Sequence, residues 1–123
     1  MASVKDLVGL GMPPDLARYE GLNPGAITAA GSASTTATAI GETTFANVTA
    51  SGGADGVILP SDAPLGRLYV VFNAGATTVN VFPPASGTIN GGTATTGSVT
   101  VAQNKVRLFW RYNSTIWISV LTA

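Results

Sequence analysis

The sequence predicts an all-β fold: a small antiparallel β-sandwich or barrel, jelly-roll-like, with an extended N-terminal arm containing one short helix. Three observations predict it. From residue 40 onward apolar side chains alternate at a period of two, clusters of Gly, Pro and Asn interrupt that pattern at short intervals, and 123 residues make one domain. At that length folding removes about two thirds of the extended-chain surface from water, so a real core is within reach.

The large apolar residues divide the chain into three parts. Ten of the 38 precede Thr28, none lies between Thr28 and Ala39, and the other 28 begin at Ile40. Residues 1–30 are thereby assigned to an arm, 31–39 to a linker or extended strand, and 40–123 to the β body. In the arm, Pro13-Pro14, then Asp15-Leu16-Ala17-Arg18-Tyr19-Glu20, then Gly21 reads as a helix near 14–20, with proline in its first turn and glycine as its stop. Two helical turns are marginal alone in water, and Leu7, Val8, Leu10, Met12, Leu16, Tyr19 and Leu22 have little beside them to pack against. The arm needs a docking surface, either its own β body or another protein. The bland linker behind it favours the second.

In the body, Arg67 to Asn73 runs into Ala74-Gly75-Ala76 and returns as Thr77 to Phe82, which reads as a hairpin stopped by Pro83-Pro84. A second hairpin pairs Lys105 to Tyr112 with Thr115 to Leu121 across Asn113-Ser114. In its first strand Val106, Leu108, Trp110 and Tyr112 share one face, taken as buried, while Lys105, Arg107, Phe109 and Arg111 share the exposed one. Weaker strands fall near 43–50, 56–59, 87–90 and 98–102. That makes seven or eight short strands, the count of a sandwich or small barrel.

Composition excludes several function classes. Charged residues are 10% of the chain, against about 25% in ordinary domains, while Ala, Gly, Ser and Thr fill 58 positions. Six bases cancel six acids, so no positive field exists to hold nucleic acid. The cancellation hides a polarity, because every acid lies at or before Asp62 and residues 63–123 carry only bases. Chance segregation of twelve charges accounts for this first; such a protomer could also pair head to tail with its copies or present a basic face to an acidic partner. The absence of Cys and His removes disulfides, thiol nucleophiles, imidazole bases and most transition-metal sites. The charged pair Lys5-Asp6 argues against an export signal, and the charge-free stretch from Leu68 to Asn104 is too broken by Pro, Gly, Thr and Asn to span a membrane.

Candidate sites are correspondingly few. Gly9-Leu10-Gly11 precedes no Lys-Ser/Thr pair and reads as a turn. Asp55 and Asp62, flanked by Gly and Pro, read as turn formers rather than a catalytic pair. The expectation is no catalytic site, no cofactor and no metal. Trp110, Tyr112 and Trp117 are the remaining candidates, as core, as subunit interface, or as a platform that stacks on a sugar ring. Trp110 is expected in the core or in a subunit interface, Trp117 on either side, and Ser119 at a silent position.

Two signatures resemble a known family. One is Asp6-Leu7-Val8-Gly9-Leu10-Gly11-Met12-Pro13-Pro14-Asp15-Leu16-Ala17; the other is the series Gly56-Val57-Ile58-Leu59-Pro60, Val70-Val71-Phe72-Asn73-Ala74-Gly75, Val79-Asn80-Val81-Phe82-Pro83-Pro84, Gly87-Thr88-Ile89-Asn90 and Thr115-Ile116-Trp117-Ile118. Together they span most of the chain and resemble small tailed-bacteriophage virion proteins of the head-decoration, cement or head-fibre kind. The resemblance implies an all-β knob, assembled as a homotrimer, made in the host cytoplasm and carried on the outer surface of the phage head. Its arm would bind the major capsid protein, or a neck or portal protein, and its work would be to stabilise the head. A neck or tail fibre, or a carbohydrate-binding adhesion knob, is the alternative.

Overall fold

The structure is a computed structural model that describes residue 5 and residues 9–11, 23–50 and 52–122. Ten strands follow one another: β1 (Pro24–Thr28), β2 (Thr38–Ala39), β3 (Phe45–Thr49), β4 (Gly56–Ile58), β5 (Leu68–Asn73), β6 (Val79–Phe82), β7 (Thr88–Ile89), β8 (Val99–Val101), β9 (Val106–Arg111) and β10 (Ile116–Leu121). Val, Ile, Phe and Thr dominate them, residues whose branched or flat side chains suit a pleated surface.

Successive strands alternate between two sheets. The larger has the order β1-β3-β5-β9-β10-β7 and the smaller β2-β4-β6-β8. Pro24, Phe45 and Val70 stand in register on parallel neighbours in the first, and Thr38, Val57 and Val81 do so in the second. The chain therefore winds through three coils, each laying one strand on each sheet, and the antiparallel β8, β9 and β10 close the stack. This is a β-solenoid arrangement, and the expected antiparallel sandwich or barrel is corrected: the chain crosses to the other sheet after each of the first nine strands except β9, instead of turning back on itself.

The expected hairpin over 67–82 is corrected for the same reason. β5 and β6 belong to different sheets, joined by a corner that Asn73 builds. Its fully buried amide donates to Thr77 O at 2.7 Å and Val101 O at 2.8 Å, and its Oδ1 accepts the Gly75 N–H at 2.9 Å. Gly75 sits against the preceding coil, where a Cβ would fall 2.8 Å from Ala50 N. The second hairpin is present as expected, with Asn113 Oδ1 accepting the Thr115 and Ile116 N–H groups at 2.9 Å each.

The boundary drawn at 30/31 also moves. β1 and β2 are sheet members, Ala29 is buried, and the Asn23 N–H donates to the buried Thr44 Oγ1 at 2.7 Å. Among the described residues the body reaches back to Asn23. The helix expected near 14–20 lies outside the described residues.

One apolar cluster draws on both sheets: Ala46, Val48, Val71, Phe109 and Trp117 from the larger, Val57, Val79, Val81 and Val101 from the smaller. Valines and alanines dominate because a flattened solenoid brings its sheets close together. Each Val or Phe removed from water contributes on the order of 1.5–3 kcal/mol, and Trp117 against Tyr69, ring centroids 5.6 Å apart at 63°, is the largest such contact.

Candidate functional site

Residues pointing outward from the six-stranded sheet follow from the register. Leu68, Trp110 and Ile118 form one row across β5, β9 and β10; Phe45, Val70, Leu108 and Val120 form the next across β3, β5, β9 and β10; Asn47, Phe72 and Val106 form a third. Every outward position on β5, β9 and β10 is apolar. Tyr112 and Ile116 continue the layer at the hairpin end, and β1 adds Pro24, Ala26 and Thr28. No charged residue points outward from any strand of this sheet.

The face is accessible although its members crowd each other. Val120 is 52% exposed, Ile118 45% and Phe45 41%, while Val70, ringed by neighbours, falls to 7%. The candidate aromatic residues divide across the sheet. Trp110 is half-buried on the outward face and Tyr112 is exposed beside it, whereas Trp117 is fully buried in the core. Of the two places expected for Trp110, the core is corrected, because Phe109 is the residue of β9 that is fully buried inward.

The physical reason lies in the cations. Arg107 and Arg111 share the inner face with the fully buried Phe109 because their guanidinium groups find oxygens at the ends of the core. Arg111 Nη1 donates to Ala63 O and Nη2 to Ser114 O at 3.0 Å. Arg107 Nε donates to Thr100 O at 3.2 Å and Nη1 to Ser119 Oγ at 2.7 Å. Partial burial lowers the Arg107 pKa, with no effect on its charge at neutral pH. Ser119 is thus no silent position: its hydroxyl also accepts from Asn90 Nδ2 at 2.8 Å.

Charge collects elsewhere. Glu42, Asp62, Arg67 and Arg111 surround Tyr69, and the first three line a cavity of about 90 Å³ with Gly41, Ala63, Pro64 and the tyrosine. Burial, chiefly, pushes the Tyr69 hydroxyl up to about 12, Arg67 and Arg111 opposing and the two carboxylates assisting. The phenol stays protonated and can donate. Asp55 does form a turn, its carboxylate accepting the Gly52 N–H at 2.9 Å. Among the described residues no group of three or more Asp, Glu, His or Cys could hold a metal, and no helix is long and apolar enough to cross a membrane.

No known relative decides the matter. No family model matches the chain, no curated protein matches it, and no solved structure matches it.

Of the arm candidates, Leu10 is 85% exposed; Leu7, Val8, Met12, Leu16, Tyr19 and Leu22 lie outside the described residues. Sequence reasoning missed outward residues including Phe45, Leu68, Phe72, Ile118 and Val120, and only those on β5 and β9 carried a readable signal. The runs at 68–72 and 106–110 are almost continuously apolar, the mark of strands buried on both faces.

Proposed function

We propose that this chain is a structural protein of a bacteriophage virion: a capsid decoration or cement protein that binds the major capsid protein and stabilises the head. Copies of the chain associate as a homotrimer, and the arm supplies the contact with the capsid. The observation that carries this reading is the broad uncharged face of the six-stranded sheet on a β body with few charges. Such a surface suits packing against protein, and it has the low charge and small-residue economy of a part used in many copies. The arm signature and the ordered strand series support it through the family they resemble.

The decisive measurement is copy number in purified particles, joined to co-sedimentation of the full chain with undecorated heads. A count on the order of hundreds per particle with saturable sedimentation supports decoration. A count near a dozen makes the protein a neck or tail fibre, and absence from the particle overturns the virion reading. Binding of host-surface glycans by the parent protein, lost on Tyr112→Ala, would point instead to an adhesion knob, since Tyr112 is the most exposed of the three aromatic candidates.

A further inference from the structure

We infer that the outward face of β5, β9 and β10 is where copies of this chain pack against each other, with Trp110 and Leu108 at the centre of the contact. The inference gives a surface to the homo-assembly in the reading above and rests on it only for the number of copies.

The sequence writes these strands for two-sided burial, and the described residues cover one side. Tyr69, Val71, Phe109 and Trp117 fill the inner face, and the outer face is as apolar as the inner. β5, β9 and β10 pair antiparallel, an arrangement whose solvated face ordinarily alternates to polar residues, and here that face is apolar instead. Here the outer cover has to come from beyond the described body.

Three arguments select a second copy. The face bears no outward charge, so its partner must also be an uncharged apolar surface; a charged or hydrated partner would strand its polar groups. Among the described residues this is the broadest such surface, since the outer side of the smaller sheet carries Asn80 and Thr100, so the best complement to the face is the same face on a copy. Its extent is matched as well. β5, β9 and β10, six residues each, at about 4.8 Å spacing and about 3.4 Å rise give a planar footprint of about 300 Å², smaller than the ~800 Å² that each partner gives a standard interface and equal to what the same face on a copy offers. Convergence of these faces on a rotation axis beside Trp110 would close the assembly.

The test uses the full chain at micromolar concentration, with mass read by light scattering after size exclusion. The parent is expected to run as an assembly of two or more copies. Ile118→Lys combined with Val120→Lys changes two positions already about half exposed, so the body folds, and the mass should fall to that of one chain while thermal unfolding stays cooperative. Thr100→Lys, on the other sheet, should leave the mass unchanged. A parent that is monomeric up to about 100 μM, or a double-lysine variant that stays assembled, overturns the inference. So does a monomeric parent that assembles when residues 1–22 are removed, which would make the arm the occupant. The two readings fail separately: a monomeric parent that still binds heads removes this inference together with the homotrimer but leaves the virion reading, and an assembled parent absent from particles removes only the virion reading.

Discussion

At the residue scale, the side chains that matter most are those whose polar atoms are committed inside. Trp117 is fully buried, and its Nε1–H finds no acceptor. Trp117→Ala should cost about 3–5 kcal/mol through the cavity it opens. Trp117→Phe should cost clearly less, because it also deletes a buried donor that goes unpaired; denaturant midpoints of the two variants check this. Ser119→Ala should cost about 1–2 kcal/mol, since Arg107 and Asn90 both lose their acceptor. Trp110→Ala should act on assembly mass far more than on the unfolding of the isolated body. Tyr69 supplies a pH dependence. Its folded-state pKa of about 12 lies above the ordinary tyrosine value of 10.0, so the folded state binds its proton more tightly than the unfolded chain does. The stability this contributes is intact below pH 10 and is lost as pH rises toward 12. Thermal unfolding followed from pH 9 to 12 should fall steeply in the parent and less so in Tyr69→Phe.

At the element scale, β1 is part of the body although nothing bulky follows it for a dozen residues. It earns its place by parallel pairing with β3 and by the Asn23–Thr44 clamp. Removing residues 1–22 should therefore leave the unfolding transition of the body unchanged. Removing residues 1–30 strips β1 and Ala29 from the sheet, exposes the edge of β3, and should lower the midpoint markedly. Circular dichroism melts of the two truncations give the comparison. Corners rather than hairpins set the course of the chain here. Gly56 shows how tightly they are drawn, since the Phe82 ring lies where its Cβ would stand, at 2.7 Å.

At the scale of the whole molecule, acids and bases that are segregated along the chain meet at one corner among the described residues. Glu42, Asp62, Arg67 and Arg111 converge on the Tyr69 corner, and the widest face carries none. Association driven by that face should persist when salt is raised from about 0.05 to about 1 M, where screening shortens the Debye length to about 3 Å. Light scattering across that range distinguishes it from charge pairing, which would dissociate.

The sequence by itself determined the β class, the C-terminal hairpin with its Asn113 turn, the strands near 45–49, 56–58, 88–89 and 99–101, and the turn role of Asp55. These follow from local alternation and from turn residues that act over three or four positions. It could not determine the solenoid. Coils that differ in length repeat no motif, and whether a strand that follows a turn pairs with its predecessor or crosses to the other sheet depends on contacts far away in sequence, such as Asn73 with Val101. Nor could alternation say which side of β9 faces inward. Both sides are apolar enough, and the choice went to Phe109 because Arg107 and Arg111 reach the oxygens of Ala63, Thr100, Ser114 and Ser119, which only the folded chain brings within their length.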